Sequence, residues 1–288
     1  MDANLVKRIG FAAVAIPLVL LLVWAGGWPL AALLATAGAL GVLELFDLAA
    51  KQGIAPFRRT GAIVAVLIPG LVYSALTIPA VGDWVGRFEM YLGAGWLLLL
   101  LALALLRRAP DQRPLAAIAV TLFGVGYAAM LPAFLLVIRH GAWPVGSWAG
   151  VALVFYPLGV TWVCDTAAMF GGKMIGGAKL APTISPGKTR SGGVAGIVGG
   201  ALVAPLFALV IFPAAGITAA LWPMVAMAVV LATVGQLGDL AESLFKREVG
   251  VKDSSTLIPG HGGVLDRLDS LYVVLPTAAL CYLVMGLA

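Results

Sequence analysis

The sequence predicts an all-α polytopic membrane protein with about nine transmembrane helices, and three observations support this fold class. The chain of 288 residues has a mean hydropathy of +1.06 and is only 11% charged, which excludes an ordinary soluble domain. Several apolar runs reach the roughly 20 residues that a helix needs to cross about 30 Å of hydrocarbon. The alternating pattern of about ten residues that marks an outer-membrane barrel strand is absent from the sequence.

The apolar runs and the residues that interrupt them set the order of the spans. The first run has a basic start, as a signal peptide does, but no convincing cleavage site of small residues follows, so we interpret it as a retained span. The predicted spans cover residues 5–25, 28–50, 59–79, 90–107, 115–139, 147–171, 192–213, 217–246 and 268–287.

The distribution of lysine and arginine predicts the topology. When the loops alternate between two sides, every basic residue except Arg87 and Arg139 falls on one side. The positive-inside rule makes that side cytoplasmic, with the N-terminus in the cytoplasm and the C-terminus outside. This topology explains the net charge of +5, so no nucleic-acid partner is predicted.

The loops divide the chain into two regions. An N-terminal transmembrane region, residues 1–140, contains about five helices, and a C-terminal transmembrane region, residues 141–288, carries the chemistry. Two cytoplasmic loops of the second region, residues 171–193 and 246–269, hold the convergent polar groups. The active site is therefore predicted at the cytoplasmic interface, because charge beside a bilayer is costly and usually marks a working site.

The end of the eighth span places polar side chains on one helix face. Asp239 and Glu242 lie one turn apart there, with Gln236, Ser243 and Lys246 at spacings of three and four. Two such carboxylates repel each other unless a cation or a proton lies between them. This pattern indicates a divalent-metal site of oxygen ligands, suited to Mg²⁺. The alternative is a helix end at which Glu242 pairs with Lys246.

A glycine-rich segment precedes the ninth span. Residues 259–263, Pro-Gly-His-Gly-Gly, allow the backbone to approach a ligand closely. His261 is a general base, a hydrogen-bond donor to phosphate or a loop-ordering residue. Asp266 and Asp269 stand one turn apart at the start of the span, where the helix dipole favours anions. One aspartate would suffice as a cap, so the second indicates a metal or substrate role.

Other polar groups are candidates as well. Asp165 lies inside the sixth span, where a carboxylate is a functional hypothesis by default, and pairing with a basic residue is the alternative. The 171–193 loop suits phosphate binding through its N–H groups and lysines, although a solvated basic loop has the same composition. It is not a P-loop, because Pro182 stands where that motif needs glycine. Glu44 and Asp47 form a weaker polar cluster.

The charged segment between the last two spans resembles the signature of phosphatidate cytidylyltransferases, also called CDP-diacylglycerol synthases. The spacing is intact through Ser243, Lys246, Arg247, Lys252, Asp253 and residues 259–269. Upstream, residues 165–172 and 185–189 resemble the preceding conserved region of the family, but Gly187 replaces one lysine of its usual Ser-Pro-Lys-Lys-Thr form. The N-terminal half resembles the family only in hydropathy.

The resemblance implies that CTP and phosphatidic acid give CDP-diacylglycerol and pyrophosphate, a nucleotidyltransferase step of phospholipid biosynthesis. Mg²⁺ is the implied cofactor, and the sequence leaves open whether one or two cations bind. A lipid phosphate is already an anionic nucleophile near neutral pH, so the site must supply alignment and charge neutralisation. We expect an integral protein of a bacterial inner (plasma) membrane, either monomeric or homodimeric.

The resemblance also implies roles for individual residues. The expected metal ligands are Asp239 and Asp266, with Glu242, Asp269 and Asp165 as additional or outer ligands. The expected catalytic residues are Asp239, Asp266, Lys252, His261 and Arg267. The expected substrate-binding residues are Ser185, Lys188, Thr189, Ser243, Lys246, Arg247, Gly262 and Gly263.

Two other functions stay open at the level of the sequence. A nucleotidyltransferase that acts on another lipid phosphate would share these residues. An ion-coupled transporter would use Asp165 and Asp239 as an ion path, and it predicts carboxylates spread through the depth of the bilayer. The candidate carboxylates instead collect at one side, which favours the enzyme.

Overall fold

The computed structural model of the protein describes residues 3–258 and 262–287, with side chains from residue 13 onward except Ala15. In these residues, eight helical stretches are long and apolar enough to cross a membrane. They are Gly27–Ala50, Arg58–Thr77, Pro79–Arg107, Pro110–His140, Trp148–Ile175, Arg190–Ala214, Leu221–Glu248 and Leu265–Val284. A further helix, Ala3–Ala25, lies where the first span was predicted. The protein is therefore an all-α polytopic membrane protein.

The helices and strands are numbered in chain order. The first six helices are α1 (Ala3–Ala25), α2 (Gly27–Ala50), α3 (Arg58–Thr77), α4 (Pro79–Arg107), α5 (Pro114–Val125) and α6 (Leu131–His140). The others are α7 (Trp148–Ile175), α8 (Arg190–Ala201), α9 (Val203–Leu206), α10 (Phe212–Ala214), α11 (Leu221–Glu248), α12 (Leu265–Leu268) and α13 (Leu271–Val284). Strands β1 (Lys179–Ala181) and β2 (Ser185–Thr189) form an antiparallel hairpin. A 3₁₀ turn and two π-helical turns complete the chain: Pro110–Gln112, Gly126–Met130 and Phe207–Ile211.

The residues pack as two compact units. One comprises the chain up to Leu22, Gly26–Val137 and Asp253–Arg267, and the other comprises Val23–Ala25, Ile138–Lys252 and the chain from Leu268. The segment 253–267 therefore packs with the N-terminal helices, although it follows α11 in the sequence. That residues 141–288 form the catalytic region stays a prediction.

In the first unit, α2 packs closely between α3 and α5. The ring of Phe46 on α2 is fully buried, and it lies between Gly61 of α3 and Gly124 of α5. A Cβ added at either glycine would come within 2.7 Å of ring carbons. Small residues at such contacts let membrane helices approach closely. This packing fixes the rotation of α2 and thereby the direction of its polar side chains.

In the second unit, α8 lies against α7 through a face of glycines. A Cβ added at Gly196 would lie 3.0 Å from the carbonyl oxygen of Cys164, so only glycine fits without moving the helices apart. The buried hydroxyl of Tyr156 on α7 donates a hydrogen bond of 2.5 Å to the carbonyl oxygen of Met224 on α11. Helix α7 therefore packs against α8 and is hydrogen-bonded to α11, so it connects these two helices of the second unit.

The predicted 171–193 loop contains regular structure. Helix α7 continues into it and ends where Gly176 and Gly177 adopt positive φ angles of 66° and 95°. The hairpin follows, with Lys179 paired with Thr189, and α8 begins directly after β2. The sequence did not predict the strands because both are short and β2 contains proline and glycine, which are depleted in strands.

Candidate active site

A polar cavity of about 480 Å³ lies in the second unit, among α7, the hairpin, α8 and α11. Charged side chains from α7, the hairpin and α11 line it: Asp165, Lys173, Lys179, Lys188 and Asp239. Glycines form much of the remaining wall: Gly172, Gly176, Gly177, Gly187, Gly192 and Gly193. Lysine side chains in a wall of small residues suit a phosphate-bearing ligand.

Lys188 on β2 and Asp239 on α11 form an ion pair in the cavity wall. Their side chains are 30% and 28% exposed, so water partly screens the pair. Ser243, one turn further along α11, donates a long hydrogen bond of 3.4 Å to Oδ1 of Asp239. Neighbours on two elements therefore orient the Asp239 carboxylate.

Three carboxylates share this region. Asp165 interacts electrostatically with Asp239 and Asp269, and each of the three interacts with Lys188. Their formal negative charge exceeds the positive charge of Lys188, so an added cation would relieve their repulsion. In the described ranges, however, no three histidine, cysteine, aspartate or glutamate side chains converge closely enough to hold a metal ion. The three aspartates are an acidic cluster and not a completed metal site.

Glu242 belongs to a separate ion pair. Nζ of Lys246 lies 3.0 Å from Oε1 of Glu242, and the two side chains are only 10% and 1% exposed. The alternative considered for this helix end, a pair one turn apart, is therefore present in the structure. A metal-ligand role for Glu242 stays a prediction.

Two predicted substrate-binding residues form hydrogen bonds that stabilise the elements around the cavity. Nε and Nη1 of Arg247 donate to the carbonyl oxygens of Ile184 at 3.1 Å and Val251 at 2.6 Å, which ties the hairpin turn to α11. Oγ1 of Thr189 accepts a hydrogen bond of 3.1 Å from the N–H of Gly192 and caps α8.

The segment 253–267 of the first unit contains another group of predicted residues. Gly262 has a φ angle of 83°, a conformation that favours glycine. Oδ2 of Asp266 accepts three hydrogen bonds of 2.8 Å, from the N–H and hydroxyl of Ser254 and from the N–H of Gly263. Asp266 therefore orders its own loop, and its predicted ligand role stays a prediction.

The predicted residues thus fall into three groups. Those that line the polar cavity are Asp165, Lys188, Thr189 and Asp239. Others lie elsewhere in the second unit: Ser185, Glu242, Ser243, Lys246, Arg247, Lys252 and Asp269. Those in the first unit are Gly262, Gly263, Asp266 and Arg267. His261 lies outside the described residues.

Three further residues were not among the predicted site residues: Lys173, Lys179 and Glu44, the last noted in the sequence only as part of a weaker polar cluster. Lys173 and Lys179 line the cavity, and their signal was only the basic composition of the predicted loop. Glu44 on α2 is buried and accepts hydrogen bonds from the segment 253–267. Its signal was a carboxylate within an apolar span, but the sequence did not show its partners.

The fold and the polar cavity define an integral membrane enzyme. The sequence profile of the cytidylyltransferase family matches residues 6–285, and the chain belongs to this family. The chain is similar to a phosphatidate cytidylyltransferase of Synechocystis sp., with 33% identity over an alignment of 293 positions that covers 94% of each chain.

Two further relatives carry the same name. One from Staphylococcus haemolyticus is 32% identical over 220 residues, 74% of this chain and 79% of the relative. One from Brucella suis is 46% identical over 138 residues, 46% of this chain and 47% of the relative. The family resemblance seen in the sequence is thereby confirmed, and the protein is a nucleotidyltransferase.

Proposed function

We propose that the protein transfers the cytidylyl group of CTP to phosphatidic acid, giving CDP-diacylglycerol and pyrophosphate. An oxygen of the lipid phosphate forms a bond to the α-phosphorus of CTP. The bond from that phosphorus to the oxygen bridging to the β-phosphate breaks, and its electron pair leaves with pyrophosphate. The observation that carries the proposal is a cavity lined by lysines and carboxylates in a membrane protein whose length matches this family.

The polar cavity is the proposed site for the CTP phosphates. Its volume of about 480 Å³ lies within the roughly 300–1,000 Å³ typical of small-molecule sites. Lys173, Lys179 and Lys188 bring positive charge to it, and its glycines leave space in the wall for a phosphate group. Donors fixed in this way stabilise the charge that develops on the leaving pyrophosphate.

The acidic cluster fits a hard divalent cation such as Mg²⁺. Asp165, Asp239 and Asp269 offer carboxylate oxygens, and Mg²⁺ commonly uses one or two carboxylates together with waters and substrate phosphates. We assign Mg²⁺ to Asp239, with Asp165 and Asp269 as neighbours. When bound, the cation would neutralise charge on the phosphates. Ligand roles for Asp266 and Glu242, and a second cation, stay predictions.

The other candidate residues have binding roles in this proposal. Lys252, His261 and Arg267 would hold the lipid headgroup, since phosphate attack needs positioned positive charge and hydrogen bonds more than a strong base. The remaining predicted substrate contacts are Ser185, Thr189, Ser243, Lys246, Arg247, Gly262 and Gly263. The cytoplasmic face of a bacterial inner membrane would let soluble CTP meet the lipid headgroup.

The test is pyrophosphate release by the purified full-length protein in detergent. Reactions contain CTP and phosphatidic acid, with or without Mg²⁺, and parallel reactions replace CTP with ATP or GTP. We expect release only when CTP, phosphatidic acid and Mg²⁺ are present together. Folded protein that releases no pyrophosphate under these conditions would contradict the proposal.

Substitution of the lipid separates the rival functions. Faster release with a polyprenyl phosphate than with phosphatidic acid would identify a nucleotidyltransferase for another lipid. Absence of release with every nucleotide and lipid, together with cation uptake into proteoliposomes, would identify a transporter.

A further inference from the structure

The carboxylate of Glu44 accepts several hydrogen bonds from one segment of the chain. Its Oε1 accepts hydrogen bonds from the hydroxyl of Ser255 at 2.7 Å and the N–H of Val264 at 3.0 Å. Its Oε2 accepts from the N–H of Leu265 at 2.9 Å and lies 3.0 Å from the hydroxyl of Ser254, whose one hydrogen it shares with Oδ2 of Asp266. Glu44 is 5% exposed, so these bonds form largely away from water, where losing them is costly.

The four donors come from the two ends of the segment 253–267. Ser254 and Ser255 stand at its beginning, and Val264 and Leu265 stand near its end, beside α12. A single side chain on α2 therefore holds both ends of the segment together. The loop between them contains the glycine-rich residues next to the predicted His261.

The packing around this carboxylate leaves no room for change. Gly263 is buried, and a Cβ added there would overlap the Ser254 hydroxyl and the Glu44 carboxylate. The Ser254 hydroxyl also lies 2.8 Å from Oδ2 of Asp266. Glu44, Ser254 and Asp266 thus form one hydrogen-bonded chain, which connects α2 to the residue before the exposed Arg267.

We infer that Glu44 is a positioning residue for cytidylyl transfer. It fixes the described residues of the segment 253–267 in the conformation from which Arg267 would bind the substrate phosphate. The expected effect of Glu44 on kcat rests on the proposed function. Its expected effect on the conformation of the segment 253–267 does not. An amide cannot replace the carboxylate, because each carboxylate oxygen accepts from a backbone N–H, of Val264 or Leu265, and the NH₂ group of glutamine would face one of these two donors.

Glu44→Gln tests the inference in the full-length protein, and Asp47→Asn is the matched control. Asp47 lies on the same helix, but its side chain is 60% exposed and pairs with Arg58 at 2.5 Å, so its replacement should leave kinetics unchanged. Glu44→Gln should lower kcat at least about tenfold and change the KM for CTP by less than about threefold. That split is expected because the proposed CTP cavity lies in the other unit.

Amide hydrogen exchange provides a readout that does not need activity. In Glu44→Gln, exchange of peptides covering residues 253–267 should accelerate at least about tenfold, while exchange in α7 stays as in the wild type. Ser255→Ala removes one donor to Glu44 and should change both kcat and amide exchange in the segment 253–267 by less than Glu44→Gln does. It replaces Glu44→Gln in the test if that variant fails to fold.

The outcomes separate this inference from the proposed function. Wild-type protein that is inactive with CTP and phosphatidic acid contradicts the proposed function, and local exchange still decides whether Glu44 holds the loop. Active wild type with unchanged kcat in both Glu44→Gln and Ser255→Ala overturns the inference. The inference is also overturned if Glu44→Gln lowers the melting temperature but leaves kcat per folded molecule unchanged. Unchanged amide exchange in the segment 253–267 of that variant overturns it as well.

Discussion

Lys188 of β2 and Asp239 of α11 neutralise each other in the wall of the polar cavity. CTP bound with a divalent cation would offer a phosphate to Lys188 and a positive charge to Asp239. Each side chain could then exchange its present partner for a ligand group of the same charge. In the proposed function, the ion pair would therefore supply counter-charges for a nucleotide and its cation.

Removing the positive charge of Lys188 should impair use of CTP. We expect Lys188→Met to lower kcat/KM for CTP by about 10²–10³-fold, since a preorganised group that stabilises transition-state charge is commonly worth that much. Lys51→Met is the matched control, because Lys51 is exposed at the end of α2. Steady-state pyrophosphate release measures both, and equal effects of the two substitutions would contradict the assignment of Lys188.

Asp239→Asn should abolish turnover and leave folding intact. The substitution keeps the shape of a partly exposed side chain but removes the charge proposed to hold Mg²⁺. Ser243→Ala should cost less, because it removes only a 3.4 Å hydrogen bond to Asp239. Activity and melting temperature are measured side by side. Substantial activity of Asp239→Asn at saturating Mg²⁺ would count against this ligand assignment.

The buried pair of Glu242 and Lys246 should matter for stability. Glu242→Gln leaves the Lys246 ammonium without its carboxylate partner, which typically costs about 3–5 kcal/mol for buried pairs. Replacing both, as Glu242→Gln with Lys246→Met, should recover part of this loss. Thermal unfolding in detergent compares the variants, and a double variant less stable than Glu242→Gln would refute the explanation.

Gly196→Val should separate α8 from α7. The added side chain would meet the carbonyl oxygen of Cys164, which an added Cβ already approaches to 3.0 Å, and such overpacking costs about 1–3 kcal/mol. Val198→Leu, at a position on α8 that is 55% exposed, is the control and should leave the melting temperature unchanged. Because α7 and α8 both line the cavity, activity should fall with Gly196→Val.

Hydropathy was sufficient to predict most of the helices, while the orientation inferred from charge stays a prediction. The predicted spans match helices because crossing hydrocarbon demands long apolar runs, which the sequence displays directly. The hairpin was missed because pairing of Lys179 with Thr189 depends on packing against helices and not on an alternating pattern. Short polar strands at a membrane surface carry little of the signal that identifies buried ones.

The candidate site could be predicted only in part, for a related reason. Asp165, Lys188 and Asp239 come from separate segments. The two aspartates were identified as carboxylates within apolar spans, and Lys188 by the family resemblance, before their meeting at one cavity was known. Glu44 was noted as part of a polar cluster, but its hydrogen-bond partner Ser254, which lies 210 positions away in the sequence, was not identified. A contact of that separation leaves no spacing pattern in a single chain.

The long separation between Glu44 and its partners has a consequence for biosynthesis. At bacterial translation speeds of about 5–20 residues per second, a gap of 210 residues corresponds to roughly 10–40 s of synthesis. The helix α2 therefore enters the bilayer long before the ribosome has made the donors that satisfy its buried carboxylate. During that interval the nascent protein must shelter the charge of Glu44 by water, by lipid headgroups or by the insertion machinery.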